Sequence, residues 1–231
     1  MDLLNLIKII AAIVTVIVAL IAGVIELRLN PDNWLNRWFA LFFASASLGF
    51  LTYTIYHFIY MDSYSNAELI IIPIMITAHI LFNFIPISLV MTVFIVEKYK
   101  KIAMNLSHLG IMITLFILMS VGYFIWPPTL NPVKYADKII DTETPEGLFI
   151  FVNISRIVLL CYVVLKYAMI TKKVEEETKK RVQWFFTGII IAIIGLFINI
   201  TGGLFGLIIL EIIALIFVDI GMIIVVKGFL I

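Results

Sequence analysis

Two carboxylates, Glu211 and Asp219, stand inside an otherwise apolar run from Gly202 to Lys227. An ionised side chain in hydrocarbon costs on the order of 3 kcal/mol on insertion scales, so it normally faces protein or water. Such groups form ion pairs, relay protons or bind ligands, and each needs an answering group elsewhere in the chain. Arg156 is the leading partner for Glu211. At 1.5 Å per residue, Arg156 lies roughly 14 Å along a helix that starts near Gly147, and Glu211 about 10 Å along one that starts near Leu204. Opposite charges at similar depth predict an intramembrane ion pair. Lys8 competes for Glu211, although its long side chain can also snorkel to the surface. Asp219 lies deeper, and His108 is its nearest titratable neighbour by depth.

His79, Asn83 and Pro86 follow one another at four- and three-residue spacing, which places all three on one helix face. Thr77, Ser88 and Thr92 fall on the other side. Pro86 leaves the Phe82 carbonyl without its helical donor and gives the helix a bending point. His79 lies about 16 Å along a helix starting near Glu68. His79, Asn83, Asn153, Arg156 and Glu211 therefore share one layer and are the expected lining of a polar ligand pocket. Isolated hydroxyls are better explained by helix packing, at about 0.6 kcal/mol per hydrogen bond.

The three histidines argue against an enzyme built on a metal. His57, His79 and His108 fall at three different depths, whereas a catalytic zinc needs about three ligands within roughly 2 Å of one point. The last apolar run has no histidine pair of the kind used by seven-helix hydrolases related to ceramidases, and no mid-helix lysine for retinal. No phosphate loop, nucleophile–base pair or redox motif occurs. No catalytic residue, metal or cofactor is expected.

The elements that position these groups follow from composition. The chain has 231 residues, 63% of them hydrophobic and 13% charged, with a mean hydropathy of +1.16. Apolar runs of about 20 residues recur from end to end, the signature of transmembrane helices. Seven spans are read: Leu3–Ile25, Asn36–Tyr60, Glu68–Val96, Ile102–Trp126, Leu148–Met169, Val182–Ile200 and Leu204–Val226. The expectation is an all-α, polytopic seven-transmembrane helix bundle, one domain over residues 1–231, with a retained first helix. A net charge of +1 gives no field to attract nucleic acid. Cys161, the single cysteine, excludes an intramolecular disulfide and reads as a packing residue.

Lys and Arg set the orientation. The first loop carries Arg28 and Arg37, the third Lys98, Lys100 and Lys101, and the fifth Lys172, Lys173, Lys179, Lys180 and Arg181. The second and fourth loops are neutral or acidic. The N-terminus is thus expected outside, the C-terminus in the cytoplasm, and the plasma membrane is the expected location. The fourth loop, Trp126–Gly147, is long enough to be a lid, although plain connection is commoner. Thr144-Pro145-Glu146 reads as an N-cap, an N1 proline and a dipole-matching acid. Between Thr171 and Gln183, oppositely charged residues recur at i,i+4 spacing, as in Glu175/Lys179 and Glu177/Arg181. These predict helical ends extending past the bilayer, with Lys172, Lys173, Lys179, Lys180 and Arg181 as a solvated end or a docking surface for a cytoplasmic partner. Ala40/Ala44, Ser45/Gly49 and Gly188/Ala192 read as close helix contacts, and Gly202, Gly203 and Gly206 as the opening of the seventh span.

The segment Asn36-Arg37-Trp38-Phe39-Ala40-Leu41-Phe42-Phe43-Ala44 resembles the start of the second helix in the N-terminal seven-helix region of membrane histidine kinases. The similarity extends over His79–Val96 with its proline and following basic loop, then Lys179-Lys180-Arg181-Val182-Gln183 and Asn199. Leu48-Gly49 stand where that family usually has a tryptophan. The resemblance implies a sensing module, here without the kinase part. The expected function is a sensor-like receptor module with an outward polar pocket for a small-molecule ligand. It would signal through a separate cytoplasmic or membrane partner. A small solute or proton-coupled transporter and a structural subunit of a membrane complex stay open as alternatives. A pocket opening only outward favours the receptor; a path that reaches Asp219 favours the carrier.

Overall fold

The computed structural model describes residues 3–97, 106–172 and 176–230. Lys98, Lys100, Lys101, Lys173 and Glu175 lie outside the described residues, as do the side chains of 176–178, and so do the charge pairs expected there. The chain runs α1 (Leu3–Leu29), α2 (Trp34–Phe58), α3 (Tyr64–Glu97), α4 (Leu106–Ile125), β1 (Thr129–Leu130), α5 (Pro132–Ala136), β2 (Thr142–Glu143), α6 (Glu146–Thr171), α7 (Glu176–Phe205) and α8 (Ile208–Leu230). All of these helices except α5 are long and apolar enough to cross a membrane. The expected all-α, multi-pass bundle is what forms.

Local chemistry sets the helix ends. Asn33 caps α2, its side chain accepting from the Leu35 amide at 2.9 Å. At α6 the expected cap shifts by one residue: Pro145, not Thr144, is the N-cap, because its extended ψ of 130° delays the first helical residue to Glu146. The α7–α8 boundary also differs from expectation. Gly202 and Gly203 belong to α7, which stops where Gly206 adopts a φ of +64°. The Leu207 amide then bonds back to the Gly202 carbonyl at 2.9 Å, the six-to-one closure of a Schellman end. At its other end α7 begins at Glu176, well before Val182, so this helix does run past the apolar segment as its charge pattern implies. Helix α3 is 34 residues long, about 51 Å at 1.5 Å per residue, against roughly 30 Å of hydrocarbon.

Six helices close into a ring in the order α1, α2, α3, α6, α7, α8 and back to α1. Helix α4 packs outside it against α3 and α6. The tightest seam joins α7 to α8. A Cβ built on Gly221 would stand 2.7 Å from the Gly188 carbonyl oxygen and 3.0 Å from the Ala192 amide nitrogen, so the backbones touch there. The Gly188/Ala192 face is therefore a helix contact, as its spacing implied. Small residues do the same at α1–α2, where Gly23 lies against Ala40 and Ala44.

The segment between α4 and α6 is not plain connection. Thr129–Leu130 pairs antiparallel with Thr142–Glu143, and α5 lies between them. Asn131 caps α5 by accepting from the Val133 and Lys134 amides, both at 3.0 Å, with Pro132 in the first turn. Tyr135 pins this hairpin to the α2–α3 loop. Its hydroxyl donates to the Met61 carbonyl and accepts from the Met61 amide, both at 2.8 Å, and its ring stacks on Tyr60. Tyr64 adds a bond to the Leu130 carbonyl at 2.5 Å.

Candidate ligand cavity

The ring encloses a cavity of about 640 Å³, within the size range of small-molecule pockets, about 300–1,000 Å³. Its hairpin end is lined by Lys134, Asp141, Glu143 and Glu146, so the hairpin lies over its mouth. Below the mouth come Lys8, Tyr53, Tyr56, His57, Asn199 and Glu211, then His79 and Arg156. Further from the hairpin, Phe42, Leu160, Ile189, Met222 and Val225 make an apolar floor. Helix α4 contributes no lining residue. It buttresses the site instead, with Tyr123 stacked on the His79 ring at a centroid distance of 5.0 Å.

The expected Arg156–Glu211 pair does not form. Glu211 accepts from the Lys8 ammonium at 2.7 Å, with Lys8 buried. The late start of α8 explains the difference. Counted from Ile208, Glu211 is only about 4.5 Å into its helix, while Arg156 is about 15 Å below Glu146. Lys8, about 7.5 Å from Leu3, matches Glu211 and Arg156 does not. The second expected neighbour also fails. Asp219 accepts from the Thr15 hydroxyl, again between α8 and α1 at matching depth, while His108 packs on Phe94 in α3.

Arg156 is instead held by neutral acceptors. Its Nε and Nη2 donate to Asn83 Oδ1 at 3.0 and 2.7 Å, Nη2 to the His79 carbonyl at 3.2 Å, and Nη1 to Asn153 Oδ1 at 3.4 Å. The Tyr123 hydroxyl also reaches the guanidinium. Among the described residues no carboxylate lies within ion-pair distance of it. Asn83 is fully buried and its amide donates to the Met119 carbonyl of α4 at 3.1 Å. Of the five expected lining residues, His79, Arg156 and Glu211 reach the cavity. Asn83 and Asn153 stand behind Arg156 and orient it, because their carbonyl oxygens are consumed by its N–H groups. Thr92 hydrogen-bonds Tyr167 at 2.8 Å and Thr77 its own helix, both packing roles as expected.

Sequence reasoning did not find the hairpin residues or Tyr123. Strands of two residues have no periodicity to detect, but Asn131-Pro132 is an N-cap and N1 signal that marks α5. Among the expected docking residues, Lys172, Lys180 and Arg181 are exposed and Lys179 is half-buried; Lys173 is outside the described residues.

No family model, no curated protein and no solved structure matches this chain. The functional reading therefore rests on the geometry of the cavity.

Proposed function

We propose that the chain is a seven-helix receptor module of the cell membrane that binds a small molecule in the ring cavity and signals through a separate partner. The carrying observation is the closed ring around a cavity whose polar groups lie under a pinned hairpin. The basic first and fifth loops support an orientation with the hairpin outside and the C-terminus in the cytoplasm. The ligand then enters under the hairpin. Asp219 is bound to Thr15 and does not line the cavity, which favours a receptor over a proton-coupled carrier.

Signal transmission follows from α3. Pro86 lines the cavity and is the natural bending point of a helix whose far end is tied to α6. Lys166 donates to Glu97 at 2.5 Å, and Thr92, five residues earlier on α3, meets the neighbouring Tyr167. A ligand that prefers one bend of α3 shifts the population toward it and moves these α3–α6 contacts. The exposed Lys172, Lys180 and Arg181 at that end are suited to an acidic partner surface. Spin labels on cysteines introduced at Leu106 and Lys180, in a Cys161→Ser background, test the idea in proteoliposomes. The expected result is a changed inter-label distance when extracellular small-molecule fractions are added to the hairpin side. An unchanged distance with solute appearing inside the vesicles makes the protein a carrier.

A further inference from the structure

The cavity is divided by Arg156 into two unlike parts, and that division names a class of ligand. Above it the charges compensate one another. Lys8 is paired with Glu211 and Lys134 with Asp141, each at 2.7 Å, and Glu143 accepts from Asn131 at 2.5 Å. The rim carboxylates of Glu143 and Glu146 are exposed and screened by salt. At the level of Arg156 the charge is not compensated. A buried guanidinium meets only neutral acceptors there, an arrangement that leaves a net positive charge facing the cavity. A second polar atom at this level has no partner: His79 Nδ1 is buried and makes no hydrogen bond, while its ring lines the same cavity. A carboxylate-sized anion at this level compensates the guanidinium charge, taking the place of the Asn153 oxygen, whose 3.4 Å bond is the longest that Arg156 makes.

Below Arg156, among the described residues, no charged or polar side chain lines the cavity; Leu160, Ile189, Met222 and Val225 do. Counted along the helices, Arg156 is about 15 Å from the hairpin end and Val225 about 26 Å, leaving a chamber roughly 10 Å long. A hydrated ion gains nothing from such a chamber, whereas each methylene of an alkyl chain buried there is removed from water.

We infer that the cavity binds a single-chain amphiphilic anion, its head on Arg156 and its chain directed toward Met222 and Val225. This rests on the receptor reading for its biological meaning, but the binding is measurable without it. The test is equilibrium binding of radiolabelled decanoate to the protein in nanodiscs of zwitterionic lipid, with empty nanodiscs subtracted. Saturable binding is expected, displaced at least tenfold better by unlabelled decanoate than by acetate, decanol or decylamine. Arg156→Gln should lower the affinity tenfold or more, and Arg156→Lys should restore part of it. Equal displacement by decanol or decylamine in the unmodified protein overturns the anion seat, whatever the variants do. Equal displacement by acetate overturns the apolar chamber, and undiminished binding to folded Arg156→Gln places the site elsewhere. No decanoate binding, with the Leu106–Lys180 distance still responding to an extracellular fraction, overturns this inference and leaves the receptor reading standing. Binding with the stated preferences and a distance that nothing moves does the reverse.

Discussion

Lys8→Met tests the arrangement that the structure substitutes for the expected one. The Lys8 ammonium donates to Glu211 at 2.7 Å, with side-chain exposures of 2% and 20%. Removing one partner of a buried pair costs about 3–5 kcal/mol, because the other charge stays behind without compensation. Glu211 keeps some surface toward the cavity, so the lower end applies, about 3 kcal/mol. At about 1.4 kcal/mol per tenfold, that is roughly a 140-fold shift in the unfolding equilibrium. Lys8→Met combined with Glu211→Gln removes both charges and should return to within about 1 kcal/mol of the parent. Reversible unfolding in bicelles measures all three. If the single losses simply add, within about 0.5 kcal/mol, Lys8 and Glu211 do not meet and the helix depths derived above are wrong. Arg156→Met with Glu211→Gln is the internal control and is expected to be additive, since no contact joins them.

Orientation is open to cysteine labelling in the Cys161→Ser background: Val133→Cys, 72% exposed on α5, should react from outside, and Lys180→Cys from the cytoplasmic side. Tyr135 is unsuitable as a labelling position because it is buried. Tyr135→Phe deletes two hydrogen bonds to Met61, at about 1 kcal/mol each, and should speed amide exchange across 132–143 while leaving α6 protection unchanged; equal exchange rates would show that the hairpin is held by other contacts.

Much of the fold was legible because it is written in long-range periodic signals. Apolar runs near 20 residues fix the number of spans, and the charge alternation in Thr171–Gln183 anticipates an α7 that outruns its apolar part. The site was legible at the level of residue type. His79, Arg156 and Glu211 do reach the cavity, and Asn83 and Asn153 do converge on the same arginine. Partner assignment failed through one boundary. Glycines at 202, 203 and 206 look alike in sequence, but only Gly206 has the left-handed φ that ends a helix. Placing the break about four residues early moved Glu211 by a full helical turn and gave it the wrong partner. Depth arguments from sequence are only as good as the helix starts they count from. The hairpin was illegible for another reason: it is tied down by contacts distant in sequence, such as Tyr135 to Met61 and Tyr64 to Leu130, 74 and 66 residues apart.

The seam between α1 and α8 has a consequence for how the protein is made. Lys8 finds Glu211 only 203 residues later, and Thr15 finds Asp219 after 204. At about 5–20 residues per second of synthesis, the first helix waits roughly 10–40 s for its partners. Throughout that interval it carries a lysine that hydrocarbon penalises by on the order of 3 kcal/mol. Lys8 sits near the end of α1, where it can reach the interface while it waits; Thr15, deeper, has no such exit. Until α8 has been made, α1 lacks both of the polar contacts that join it to that helix. A row of helices could settle one at a time, but here the first helix of the ring is also the neighbour of α8, and the ring closes only once α8 has been inserted.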